Sequence, residues 1–320
     1  MAPYNLVETC GGGCKVRTYK PYLERIKYLV RLPNDKKLGT LALIGTHSSL
    51  SYNVDSGRSK TQDLTISQQL KYGIRVLDIG IRPQSNLFKI YTEYGTTDTE
   101  FSDTLSKIDD FLDDNPGEFI IALLHQVYPS AYDVTESNCA ILDDYIHTFS
   151  AGKRLVKNWQ LDDTIGQHRG KVLIASMGNS FSGCSFDLNC QCLIQNDDIL
   201  HIIKTKAQTK SKKTKVLFDL QDKWAAIHHL IRDSLKKPRK CYLNDISYWD
   251  GVHNRRAISR EGNYAYKENC SMALNHIVTE YFENPRQTFI IVMADYPTQE
   301  LMDKINDSNF PNSSWRSGWH

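Results

Sequence analysis

The chain has 320 residues, 40% hydrophobic and 24% charged, with a formal net charge of +2. That is ordinary globular composition with room for one large core, and the near-zero charge excludes a global field that would draw nucleic acid. No run approaches the ~18 apolar residues of a membrane span, and the start of the chain lacks the basic and apolar blocks of a secretory signal, so an intracellular setting is expected. In chain order, residues 1–37 hold a Gly-rich loop, Cys10-Gly-Gly-Gly-Cys14, and a predicted amphipathic helix over 21–32. Short β-branched runs then alternate with amphipathic stretches. Barrel strands are expected at 40–46, 75–81, 119–125, 171–177, 215–220, 242–246 and 288–294, with a further strand near 87–91. The runs 119–124 and 289–293 are continuously apolar, as in strands buried on both faces. Helices are expected at 65–72, capped by Thr65, and at 103–114, 222–235 and 268–282. The tail, 308–320, is polar but carries Trp315 and Trp319. The reading is one α/β barrel over 38–307, with an N-terminal extension before it and a tail after it.

Eight cysteines are present: Cys10, Cys14, Cys139, Cys184, Cys190, Cys192, Cys241 and Cys270. Free thiols, disulfides and a zinc site all remain open, although the spacings match no standard Cys-x₂-Cys zinc pair. The pair His228-His229 reads as a packed or surface pair on a helix. Between 204 and 215 lie six lysines, Lys204, Lys206, Lys210, Lys212, Lys213 and Lys215, and no acid. That run is either a solvated loop or a patch for an anionic lipid surface, whose binding would be salt-dependent; nucleic acid is not favoured.

Several motifs stand in a telling order. They are Gly45-Thr46-His47-Ser48-Ser49, Ser67–Asp78, Asn115-Pro116-Gly117-Glu118, Arg169-Gly170-Lys171-Val172-Leu173, Leu220-Gln221-Asp222-Lys223-Trp224 and Ala294-Asp295-Tyr296. As an ordered set they resemble the X-domain family of phosphatidylinositol-specific phospholipases C, over roughly residues 38–300. The resemblance implies a TIM-type (β/α) barrel and a phosphodiesterase ancestry. Bacterial members work without metal, and animal signalling members use calcium; no cofactor or metal is expected here.

In that family a histidine takes a proton from the inositol hydroxyl and an aspartate orients it. An arginine neutralises the phosphate, and a second histidine protonates the leaving alcohol. His47 matches the base and Asp295 its orienting acid. Asp78, Asp222 and Trp224 fall where substrate-facing groups are expected; Arg82 shares a strand face with Asp78 and Gly80, one rung further along, from where it would reach back to the phosphate, and Tyr94 is a candidate proton donor. Other positions are vacated. Ser48 stands for an aspartate, Gly80 for the phosphate-binding arginine, Tyr94 for the second histidine and Met177 for an inositol-contacting arginine; the third strand ends His125-Gln126-Val127. Loss of a general acid costs ~10²–10⁴ in rate, so the sequence points to a catalytically incompetent barrel with a structural or self-assembling role, possible in a crystalline or viral occlusion body. Cys10, Cys14, Trp315 and Trp319 are then the expected contacts between copies. Two rival readings stay open: a phosphoinositide-type phosphodiesterase with His47 as base, and a lipid-headgroup or carbohydrate-binding module.

Overall fold

The computed structural model describes residues 7–8, 18–54, 59–92, 95–195, 220–238, 240–250, 253–262, 265–266 and 269–310. The barrel strands and their helices run β1 (Ala42–Thr46), α1 (Ile66–Lys71), β2 (Val76–Gln84), β3 (Leu87–Thr92), β4 (Gly95–Glu100), α2 (Phe101–Asp114), β5 (Ile120–Gln126), α3 (Asn138–Thr148) and β6 (Val172–Ser176). They continue as β7 (Cys192–Gln195), α4 (Leu220–Lys236), β8 (Cys241–Asp245), α5 (Leu274–Tyr281), β9 (Phe289–Ala294) and α6 (Gln299–Asp307). The strand order is β7-β8-β9-β1-β2-β5-β6, with every neighbouring pair parallel. The β3–β4 hairpin adds antiparallel to the end of β2. Leu155–Val156 and Phe186–Asp187 both pair with β6. Among the described residues no ladder joins them to β7, so the TIM-type sheet is curled but open at one seam.

The two-residue period of the strands sorts the apolar side chains into two layers. Leu41, Leu43, Val76, Phe119, Ile121, Leu123, Leu173, Leu243, Phe289, Ile291 and Met293 fill the barrel interior. The alternate residues, among them Ile44, Leu77, Ile79, Ile120, Leu124, Ile174, Ile290 and Val292, pack outward against the helices. Helix starts follow local chemistry. Thr65 and Gln68 form a capping box at α1, while Ser137 and Thr298 accept the N–H groups of Ala140 and Leu301 at α3 and α6.

Two expected helices need correction. The helix expected over 21–32 is absent; that stretch is irregular apart from a 3₁₀ turn at Leu29–Arg31. Its backbone is satisfied by side chains from the barrel floor instead of by a helical ladder. Glu118 accepts the N–H groups of Leu29 and Val30, while Arg75 and Arg169 donate to the carbonyls of Ile26, Leu29 and Leu32. The helix expected over 268–282 begins only at Leu274, because Asn269–Ser271 pairs with Val7–Glu8 and Ala265–Tyr266. The strand expected at 215–220 falls mostly outside the described residues, and its last member, Leu220, opens α4. The place beside β8 is taken by the unpredicted β7. Helices α3 and α6 were also not anticipated.

Two disulfides decide part of the cysteine question. Cys139–Cys184 ties α3 to the turn after β6, with the Cα atoms 5.7 Å apart. Cys192 and Cys241 are register partners on β7 and β8, 4.4 Å apart at Cα, and are also joined. Cys190 is an exposed thiol whose Sγ meets Asp187 Oδ2 at 3.0 Å. Cys10, Cys14, Tyr94, Trp315, Trp319 and the lysines of 204–215 lie outside the described residues. No helix among the described residues is long and apolar enough to cross a membrane.

Candidate functional site

Continuing the inward-facing positions toward the C-terminal ends of the strands gives the top layer of the barrel. From β1 it delivers His47, from β2 Asp78 and Gly80, from β5 His125, from β8 Asp245 and from β9 Asp295. Core layers below are apolar; this layer is polar, and it sits where (β/α) barrels carry chemistry.

His47 Nδ1 meets Asp295 Oδ1 at 2.8 Å, and the Asp295 side chain is fully buried while that of His47 keeps 15% exposure. The His47 backbone is pinned as well. Its N–H donates to the Ala294 carbonyl, and its own carbonyl accepts from Thr61 Oγ1 and Gln62 Nε2. With Nδ1 committed to the carboxylate, Nε2 is the nitrogen left for a substrate. Ser48 and Tyr296, the residues following His47 and Asp295, both hold φ of +44°. Left-handed backbone at two non-glycine residues, one on each side of a catalytic candidate pair, is strain of the kind that collects at functional sites. It turns the Ser48 N–H onto Asp78 Oδ2 at 2.8 Å.

Asp78 has a second partner. Its Oδ1 lies 2.9 Å from His125 Nδ1. The site therefore holds two imidazoles: Nδ1 of His47 is hydrogen-bonded to Asp295, and Nδ1 of His125 lies within ion-pair distance of Asp78. Burial alone would raise the Asp78 carboxyl, but His125, His47 and the Ser48 N–H outweigh it and hold the group below its usual range. Burial likewise disfavours charge on His47, yet Asp295, followed by Asp245 and Asp78, raises it to about 10. Asp245, 8% exposed, accepts the Ser247 N–H at 2.9 Å, and burial pushes its carboxyl up against the pull of His47 and Lys223. Lys223 is fully buried on α4. Arg255, 3% exposed, places Nη1 3.3 Å from Asp295 Oδ2.

The structure brings His47, Asp295 and Asp78 together. It does not bring Arg82, Asp222 or Trp224 to them. Arg82 points the right way by strand parity but sits one rung too high, donating to the Pro129 carbonyl and stacking over Tyr91 at the rim. Asp222 is exposed on α4, and its neighbour Lys223 is the residue that turns inward. Trp224 packs on His228 and Tyr281. His125, Asp245, Lys223 and Arg255 were missed. Strand parity counted from the apolar run of β5 would have found His125; no sequence signal marks Arg255. A cation and a second imidazole, both expected to be lacking, are thus present.

Gly80 explains how. It is the register partner of His125. A Cβ added to Gly80 would lie 3.3 Å from His125 Nε2 and 2.7 Å from Val127 Cγ2, and closer still to the Tyr91 carbonyl. The space above this position is filled by the imidazole and by the hairpin strand β3. Gly80→Ala is accordingly expected to destabilise the fold by about 1–3 kcal/mol, as overpacking against backbone does, read from urea unfolding midpoints. Gly80→Arg, which writes in the residue the resemblance calls for, is expected to lose at least as much stability and to gain no activity; a gain would show that the space is free.

Among the described residues no group of three or more His, Cys, Asp or Glu side chains is arranged to hold a metal ion. A separate cavity of about 1120 Å³ near the open seam is lined by Lys37, Trp159, Phe186, Asp187, Lys240 and Gln287, and shares no residue with the histidine site.

With this geometry in place, comparison with known proteins is informative. The PI-PLC X family model matches residues 34–178. The chain is 32% identical over 159 residues to 1-phosphatidylinositol phosphodiesterase of Listeria monocytogenes, a match covering 47% of this chain and 48% of that protein. It is 30% identical over 133 residues to PI-PLC X domain-containing protein 2 of Homo sapiens, covering 33% of this chain and 43% of that one. The matches thus span about half the length of these curated relatives. Among solved structures, phosphatidylinositol-specific phospholipase C from Listeria monocytogenes superposes with a TM-score of 0.65 at 21% identity, covering 90% of this chain and all of that one. The Staphylococcus aureus enzyme gives 0.67 at 18% identity, covering 90% and 98%; at such identities these two show the fold alone. Residues 34–178 therefore match the PI-PLC X family, and the chain has the barrel fold seen in the phosphatidylinositol-specific phospholipases C.

Proposed function

We propose that this protein cleaves phosphodiesters of the phosphoinositide type, with His47 as general base and His125 as the cation and proton source opposite it. The observation that carries the reading is the second histidine–carboxylate pair, His125–Asp78, standing in register with Gly80. His47 Nε2 takes the proton from a hydroxyl next to the phosphate, and the oxygen attacks phosphorus. The P–O bond to the lipid alcohol breaks, and protonated His125 hands its proton to the departing oxygen. The products are a cyclic phosphate and the free alcohol. The name of the Listeria relative is consistent with this substrate class. Two disulfides fit a protein that works in an oxidising compartment, against the intracellular setting read from the N-terminus.

The test is a fluorogenic inositol-phosphate assay on the wild-type chain and on His47→Ala. The substitution is expected to lower kcat/KM by ~10²–10⁴. Because only neutral His47 accepts a proton and its carboxylate neighbours raise it to about 10, the rate is expected to climb with pH through the neutral range toward that value. A rate unchanged by His47→Ala sinks the proposal.

A second reading keeps one specific observation on its side. A histidine raised to about 10 is mostly protonated at neutral pH and is then a poor base. This favours an inert barrel used for self-association, or for headgroup or carbohydrate binding. No turnover at any pH up to 10, together with a mass that falls on reduction, would select self-association; liposome sedimentation dependent on anionic lipid would select headgroup binding.

A further inference from the structure

We propose that Arg255 is a positioning residue of the His47 site, clamping the outer oxygen of Asp295 and so sharing that carboxylate with the imidazole. The geometry is a three-member line. His47 Nδ1 takes Asp295 Oδ1 at 2.8 Å, and Arg255 Nη1 takes Asp295 Oδ2 at 3.3 Å. The Asp295 side chain has no exposure and that of Arg255 has 3%, so neither charge is screened by water. The guanidinium is backed by the Trp249 ring, 5.5 Å from its centroid, and Trp249 Nε1 is itself anchored to the His253 carbonyl at 3.1 Å. Asp295 is thereby fixed from both sides, with its plane set for the imidazole.

The chemical consequence follows from the charges around His47. Asp295 from β9, Asp245 from β8 and Asp78 from β2 all favour the imidazolium. Lys223 faces Asp245, and His125 faces Asp78. Arg255 is the cation on Asp295, the carboxylate that touches His47. By drawing on the outer oxygen it weakens the grip on the imidazole proton and moves His47 toward a usable base. The rate consequence rests on the phosphodiesterase reading above; the effect on His47 titration does not.

The experiment follows the His47 ring by NMR in the full chain from pH 6 to about 12, assigned by its absence in His47→Ala. It compares wild type with Arg255→Gln and Arg255→Lys, each shown to be folded by circular dichroism. Arg255→Gln is expected to move the His47 midpoint up by about one unit, which leaves roughly tenfold less neutral imidazole at a given pH. The rising limb of the pH–rate profile should move by the same amount. Arg255→Lys, which keeps the positive charge but not the guanidinium plane stacked on Trp249, is expected to shift it less in the same direction, and it decides the matter if the Gln variant does not fold. Coincident midpoints in wild type and the folded variant would overturn the proposal. If the wild-type chain shows no turnover, the phosphodiesterase reading fails while the titration still decides the role of Arg255.

Discussion

His125→Ala is expected to lower kcat/KM on an inositol phosphodiester by ~10²–10⁴, a loss comparable with that of His47→Ala. The two imidazoles do different work, so the variants should part in other respects. Asp78 is held below its usual range by His125 first and by His47 next. Removing His125 leaves a buried carboxylate with less positive charge nearby, and its pKa should rise. His125→Lys separates the two jobs assigned to this residue. A lysine restores positive charge beside Asp78 but is a weak proton donor near neutral pH. It is expected to recover part of the loss for a substrate with a good leaving group, such as a phenol, and little for an alkyl leaving group. The measurement is kcat/KM for the two substrates across wild type, His125→Ala and His125→Lys. Full activity in His125→Ala would remove this histidine from the mechanism and return the site to one base with no acid.

The largest effect on stability is expected at the other end of the barrel. Glu118 and Arg75 are both fully buried, with Arg75 Nε and Nη2 each 3.0 Å from Glu118 Oε2. Glu118 also accepts the N–H groups of Leu29 at 3.3 Å and Val30 at 3.0 Å. Arg75 Nη1 donates to the carbonyls of Leu70 and Ile74, Nη2 donates also to that of Ile26, and the guanidinium lies against the rings of Tyr28 and Phe111. Glu118→Ala leaves a buried guanidinium without its counter-charge and frees two backbone donors. Breaking one side of such a pair costs about 3–5 kcal/mol, to be read from urea unfolding. The N-terminal segment 18–34 should loosen first, since these bonds are what hold it on the barrel floor, and limited proteolysis should cut there. Glu118→Gln keeps the acceptor but not the charge and should cost less. A change below about 1 kcal/mol in Glu118→Ala would mean that the segment is held by its apolar contacts, Tyr28, Leu29 and Leu32, and not by the ion pair.

Much of the fold was legible because it rests on local signals. Continuous apolar runs such as 119–124 and 289–293 are what a strand buried on both faces requires, and they lie within or beside β5 and β9. The Thr65 cap and the Asn115-Pro116-Gly117 stop bound α1 and α2 for reasons carried by the residues themselves. The segment 21–32 misled because its apolar spacing is helical, while its backbone partners come from Arg75, Glu118 and Arg169, residues 49 to 140 positions away. No local pattern can announce such partners.

The site divides along the same line. His47 and Asp295 could be placed because each lies inside a short ordered motif. The expected lack of a cation and an acid rests on position-by-position comparison, which counts a vacated place on one strand without asking what the neighbouring strand sets beside it, here His125 in register with Gly80. A residue's own segment fixes whether it is helix or strand and which way it faces. Whether the imidazole of His125 occupies the space over Gly80, and whether Arg255 reaches Asp295, depends on strand register and loop path. These bring together residues 45 and 40 positions apart, and only the folded barrel sets those distances.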